Sequence, residues 1–267
     1  MKILPQHFCT DTATIETRLG DVGRAVSLYQ LFATFPVDEE ADRTSYYERQ
    51  AAYELLLLGD ISKSKALLAK MVDSTQNRTE KSNSQAQSFG GADESCQVLQ
   101  ALIYREDGEQ ARAMDTTRSI GDKYVSMFRD SRFSYEYKEA VPWSLEALIC
   151  LDQHNTSKAQ SLIKRAESEI RNKDKSEPIL DILKGWLLLE EGRLDDCLKM
   201  TSTTLASEKQ LDASIDGMNL KAALHLIRKN VFLQQNLTEQ AAHENELYKR
   251  THVSGRIFTP ICYRPNP

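Results

Sequence analysis

A short phrase that ends one helix and begins another recurs along this chain, and nothing else in the sequence restricts the fold as much. It is clearest at Gly20-Asp21-Val22-Gly23-Arg24-Ala25 and returns as Gly59-Asp60-Ile61-Ser62-Lys63-Ser64 and Glu106-Asp107-Gly108-Glu109-Gln110-Ala111. Three further copies are His154-Asn155-Thr156-Ser157-Lys158-Ala159, Gly192-Arg193-Leu194-Asp195-Asp196-Cys197 and Asn236-Leu237-Thr238-Glu239-Gln240-Ala241. Each frame closes on a small residue, and these small positions are separated by 39, 47, 48, 38 and 44 residues, one two-helix unit at a time. A helix that must stop and reverse within a few residues needs Gly, Asn or Asp for the left-handed turn, then a short polar side chain to accept from the free amides of the next helix. The small residue that follows is expected where the second helix crosses the first, because a larger one would hold the axes apart.

Strongly apolar helical segments precede the frames: Tyr53 with Leu55 to Leu58, Val98-Leu99 with Leu102-Ile103, Leu145 with Leu148-Ile149, Ile182-Leu183 with Trp186 to Leu189, and Leu224 with Ile227. Pro142 and Pro178 stand at first-turn positions of two of them, with Ser176 as a cap before Pro178. Only 11 glycines and 7 prolines occur in 267 residues, too few for the frequent turns of an all-β sandwich or barrel. The expected class is all-α. The sixth frame fits worst, since Glu244 and Asn245 fall where an apolar pair is expected, and it predicts an atypical terminal unit. Residues 74–94 are rich in Ser, Thr, Asn and Gln and predict a mobile insertion between repeats.

These frames resemble the second-helix phrase of the tetratricopeptide-repeat family: glycine, an acidic residue or asparagine, a bulky apolar residue, two polar residues, alanine. The match is carried by Gly20 to Phe32 ending in Pro36, by Gly59 to Leu68, and by Trp186 to Cys197, which is similar to the family's Trp-x-x-Leu to Gly passage. The period is longer than the family's usual ~34 residues and is similar to the elongated repeats of kinesin light chains and some bacterial regulators. The resemblance implies a right-handed α-solenoid of about six stacked hairpins over residues 1–250, with 251–267 as an extended C-terminal tail.

Composition excludes several function classes. A net charge of −5 gives no basic excess for a phosphate backbone, so no nucleic-acid partner is expected. The longest aliphatic runs, Leu55 to Leu58 and Trp186 to Leu189, fall far short of the ~20 residues of a membrane span, and Met1 to His7 is unlike a secretory leader. A cytoplasmic or nuclear chain is expected, which makes the sequons at Asn77, Asn155 and Asn236 chance matches. The five cysteines are spread out with no CxxC pair and read as reduced, small apolar residues. No GxGxxG, GxxxxGK[ST] or GxSxG occurs, so neither a phosphate cradle nor a serine nucleophile is expected. His243-Glu244 opens like a zinc-protease helix, but Leu247 stands where the second histidine belongs, and a surface helix is expected there. No enzyme, cofactor or metal is predicted.

The expected function is that of an adaptor or scaffold binding another protein or peptide along a concave face; a regulator that changes curvature on sensing a peptide is the alternative. Between Tyr124 and Trp143 aromatic and basic residues interleave. Arg129, Arg132, Tyr135, Tyr137, Lys138 and Trp143 form a candidate partner-binding strip for an acidic or amphipathic peptide. The same pattern also fits aromatics filling a long-helix core with the basic side chains reaching past them to water. Tyr46-Tyr47-Glu48-Arg49 is a weaker candidate of the same kind. The tail Ile257 to Tyr263, apolar and proline-broken, is expected either in a groove of this or a second subunit, linking the chain into a homo-oligomer or larger complex, or folded back over its own last repeat.

Overall fold

The computed structural model describes residues 12–13, 15–16, 19, 21–33, 48, 51–53, 55–56, 60–70, 90–127, 141–169, 178–206, 215–251 and 256–264. Among these residues every regular element is helical and none is a strand. In chain order the named helices are α1 (Val22–Ala33), α2 (Gly90–Glu106), α3 (Gln110–Met127), α4 (Val141–Asp152), α5 (Thr156–Glu169), α6 (Pro178–Glu190), α7 (Leu194–Ala206), α8 (Ile215–Gln234) and α9 (Thr238–Lys249). Two 3-10 turns, Arg256–Phe258 and Ile261–Tyr263, follow, and residues 61–70 are also helical. Among the described residues no helix is long and apolar enough to cross a membrane. The chain divides into two compact units, Met1–Thr116 and Thr117–Pro267.

The recurrent phrase is a helix reversal held by the same hydrogen bond each time. The backbone amides of Asp21, Asp60, Glu109, Asn155, Arg193 and Leu237 each donate to the carbonyl five residues earlier, at 2.8 to 2.9 Å. In the last four turns the preceding residue takes positive φ: Gly108 (79°), His154 (55°), Gly192 (70°) and Asn236 (61°). Its own amide bonds back three residues, completing a Schellman closure of the first helix. The second helix is then capped from the phrase itself, since Asp21, Asp60 and Asn155 accept from the amides of Arg24, Lys63 and Lys158 at 2.9 to 3.2 Å.

This geometry corrects the third frame by two residues. The residue equivalent to Asp21 is Glu109, not Asp107, and the small residue at the crossing is Ala113, which is fully buried, whereas Ala111 is exposed. The crossing residues Ala25, Ser64, Ala113, Ala159, Cys197 and Ala241 are all buried. Two of them show what they face. Ser64 Oγ donates to the carbonyl of Ala52 at 2.7 Å, and Cys197 Sγ lies 3.3 Å from the carbonyl of Gly185, each partner being 12 residues earlier. The same interval separates alanines that are each fully buried, at 13 and 25, 101 and 113, and 147 and 159. A small residue on each helix lets the two backbones meet. Gly185 also serves the neighbouring hairpin, since a Cβ there would lie 2.9 Å from Ile227 Cδ1.

In the first unit Ala13, Ala25, Val26, Tyr29, Ala51 and Leu55 form one buried cluster, with Leu28 and Leu67 packed against it. Lys65 is ion-paired with Asp107, and the fully buried Arg105 lies beside Glu106. The helix α2 begins at Gly90, so the expected insertion 74–94 is helical over residues 90–94; residues 74–89 lie outside the described residues.

In the second unit α4 and α5, α6 and α7, and α8 and α9 pack as antiparallel pairs, and each pair packs on the next through α4 with α6, α5 with α6, α6 with α8 and α7 with α8. Helix character follows position. The first helices are enclosed on most sides: every residue from Trp143 to Leu151 is buried, which is why α4 reads as a nearly continuous apolar run. The second helices bury a single stripe, Ala159, Leu162, Ile163 and Ala166 on α5 and Cys197, Thr201 and Thr204 on α7. As expected, Pro142 and Pro178 lie in the first turns of α4 and α6. Burying a side chain such as Leu183 or Ile227 contributes about 1.5–3 kcal/mol.

Candidate functional site

The segment 256–264 makes its two 3-10 turns against the first helices of its own unit. The first turn packs on α6 and α8. Trp186 on α6, itself fully buried, donates from Nε1 to the carbonyl of Phe258 at 2.9 Å and stacks its indole on the Tyr263 ring at 5.0 Å between centroids. Asp152, the last residue of α4, accepts from the amide of Ile261 at 2.9 Å. Ile257, Thr259 and Pro260 are buried, and Arg264 Nε donates to the carbonyl of Thr259 at 3.3 Å. Side chains on α4 and α6 thus bond to the main chain of a peptide-like segment while an apolar ring covers one of its aromatic side chains. Such contacts hold a backbone in register without reading much of its sequence.

Around the same segment lie His154, Glu190 and Cys262. One nitrogen, one carboxylate oxygen and the sulfur of these residues lie within 4.8 Å of one another. His154 Nδ1 is 3.0 Å from Glu190 Oε2, and Glu190 Oε1 is buried without a hydrogen-bond partner. Burial, reinforced by the Glu190 carboxylate, holds the Tyr263 phenol well above its usual range. Among the described residues this is the one group of three such side chains placed to share an ion.

A second polar cluster occupies the interface of α8 and α9. Glu244, expected on a surface helix, is buried: its Oε2 is 2.7 Å from His225 Nδ1 and its Oε1 accepts from Arg228 Nε at 2.6 Å. Arg228 Nη1 donates to Ser202 Oγ at 2.6 Å, and Lys229 Nζ to Asn245 Oδ1 at 2.9 Å. Burial disfavours the Glu244 carboxylate, but the hydrogen bonds from His225 and Arg228 outweigh it and hold its pKa below the ordinary value. This explains why the sixth frame lacks its apolar pair: Glu244 and Asn245 take polar partners on α8 in place of aliphatic ones. His243 beside it is exposed, as expected of a surface position. On α4, the buried Glu146 is paired with Arg118 and Lys158, each at 3.2 Å.

Of the strip expected from sequence, Trp143 is buried in α4 with the Arg165 guanidinium 5.0 Å from its ring centroid, a packing position and not an open contact surface. Arg129, Arg132, Tyr135, Tyr137 and Lys138 lie outside the described residues. From Tyr46-Tyr47-Glu48-Arg49 only Glu48 is described; it is buried and paired with Lys70 at 3.0 Å. The residues that do converge, Asp152, His154, Trp186 and Glu190, were invisible as a group because their partners are far along the chain: 109 residues separate Asp152 from Ile261, and 72 separate Trp186 from Phe258. Among the described residues Cys150, Cys197 and Cys262 form no disulfide, and burial raises the pKa of Cys150 and pushes that of Cys197 up to about 12. Comparison with protein-family models and with curated proteins finds no match for this chain.

Proposed function

We propose that the chain is a tetratricopeptide-like array, a right-handed solenoid of about six hairpins, that acts as an adaptor by binding an extended peptide of another protein across its first helices. The observation that carries this reading is the chain's own segment 256–264, held on α4 and α6 by Asp152, Trp186 and Tyr263 with bonds to its main chain. A foreign segment with an aromatic residue and a proline near its end has the same means of attachment. Consecutive pairs in the second unit pack pair on pair, as stacking requires. On sequence grounds Arg129, Arg132 and Lys138, with Tyr135 and Tyr137, are the residues we assign to acidic groups of such a partner. Cysteines outside any disulfide suit a reducing compartment, and we place the protein in the cytoplasm or nucleus.

The test uses a chain ending at residue 255 and a fluorescent peptide of residues 256–267. Saturable binding by anisotropy, weakened by Asp152→Ala, is expected, and partners captured by the shortened chain should compete with the peptide. A shortened chain that stays helical yet leaves the peptide free would overturn the reading. One observation favours the sensing variant of this function: the face is already filled, so an incoming peptide acts by displacing the tail, and binding and conformational change become one event.

A further inference from the structure

We propose that His154, Glu190 and Cys262 form a binding site for a divalent transition metal of the zinc class. The donor atoms, an imidazole nitrogen, a carboxylate oxygen and a thiol sulfur within 4.8 Å of one another, are the mixed set that zinc accepts and that the oxygen-seeking magnesium and calcium do not. With three protein donors the ion keeps a fourth position for water or a ligand.

Each donor is delivered by a different element, and each element is fixed independently. His154 occupies the left-handed position that ends α4, held by its amide bond to the Leu151 carbonyl at 3.0 Å. The equivalent turns carry Gly108, Gly192 and Asn236, residues that adopt positive φ more readily than histidine does. A histidine here puts an imidazole where glycine would close the turn with less strain. Glu190 ends α6 with its side chain only 11% exposed, and its Oε1 is buried without a hydrogen-bond partner. The same carboxylate is also hydrogen-bonded by the Tyr263 hydroxyl, so it is fixed in place, and a buried carboxylate gains from a cation beside it. Cys262 is anchored on both sides, by the Ile261 amide on Asp152 and by the Tyr263 ring on Trp186.

On binding, the Cys262 thiol releases its proton to solvent and the thiolate donates its pair to the ion, while the ion takes the place of the hydrogen bond between His154 Nδ1 and Glu190 Oε2. One thiolate and one carboxylate neutralise the dication. Nothing in this depends on peptide recognition by the face: the metal can bind whether or not any foreign peptide does. A filled site would nevertheless pin segment 256–264 to the ends of α4 and α6.

The experiment is a cobalt(II) titration of the full chain under reducing, chelator-free conditions, followed by zinc competition. We expect thiolate-to-cobalt charge-transfer absorption that saturates at one equivalent, is bleached by zinc, and is absent in Cys262→Ser. Affinity should fall by about tenfold or more in Glu190→Gln and His154→Ala, whereas Cys9→Ser and Cys96→Ser should leave it unchanged. Zinc should also slow alkylation of Cys262, located by peptide mass spectrometry, which reads the wild-type chain and does not depend on how the variants fold. Absence of the charge-transfer band, its survival in Cys262→Ser, or alkylation of Cys262 at the same rate with zinc would each overturn the site.

Discussion

The corrected register of the third hairpin turns on two alanines two residues apart. Ala113 is fully buried, and its amide bonds to the Glu109 carbonyl at 3.0 Å as the crossing residues of the other frames do in theirs; Ala111 is exposed on the same helix. The perturbation is to replace each by leucine. At Ala113 three added carbons must enter a fully buried position, and overpacking of this kind costs about 1–3 kcal/mol. At Ala111 they enter solvent, where an ordinary substitution changes stability by about 0.5 kcal/mol or less and the helix propensities of Ala and Leu nearly cancel. The same chemistry at the two sites therefore isolates the crossing. Urea melts followed by circular dichroism should lower the midpoint for Ala113→Leu alone, with the loss confined to the transition that includes α2 and α3 if units melt separately. Equal shifts for both variants, or a larger one for Ala111→Leu, would return the frame to its sequence-based position and refute the 12-residue pairing of small residues.

Two other outcomes follow from the polar groups. Because the folded pKa of Glu244 lies below its unfolded value, near ~4.3, its contribution is fully present above that pH and disappears as pH falls through the folded pKa. Glu244→Ala should thus cost about 3 kcal/mol at neutral pH, from Arg228 and His225 left without their carboxylate, and the gap from wild type should narrow in urea melts below about pH 4; a gap independent of pH would show that the carboxylate is not what matters. Iodoacetamide at mildly alkaline pH should modify exposed Cys262 well before Cys150 and Cys197, whose burial raises their pKa. Mass-spectrometric localisation showing Cys197 reacting first would contradict that burial.

The turns were legible because their chemistry is local. A reversal requires a residue that takes positive φ and a carboxylate or amide that caps the next helix, and both lie within a few positions of each other in sequence. The third frame misled for the same local reason: Glu106-Asp107-Gly108 offers an acidic residue before the glycine as well as after it, and Ala111 and Ala113 are both small. Only the hydrogen bond from the Glu109 amide to the Tyr104 carbonyl distinguishes them. Glu244 was illegible for the opposite reason. A glutamate on a helix reads as solvated unless His225 and Arg228 are known to stand opposite on α8, 19 and 16 residues away. Trp143 drew notice as an aromatic among basic residues, yet a pattern of aromatics cannot distinguish a ring packed under Arg165 from one offered to a partner.

The placement of segment 256–264 sets a condition on any partner of the proposed face. The first helices α4, α6 and α8 are already covered on their flanks by neighbouring helices, so the side left over carries Trp186, whose indole N–H would lose its acceptor and whose ring would lose its stack if nothing lay upon it. The chain's own tail supplies both. Few residues separate the end of α9 from Arg256, so the tail competes at an effective concentration of about a millimolar. A partner present at about a micromolar therefore has to bind the bare face about a thousandfold more tightly than the tail peptide does in trans to occupy half the molecules. A zinc-class ion at His154, Glu190 and Cys262 would raise that threshold further by the free energy of the bonds to Cys262. Partner affinity measured on the full chain should then fall when zinc is added, and that difference should vanish in Cys262→Ser; on the shortened chain, which lacks Cys262, zinc should have no effect.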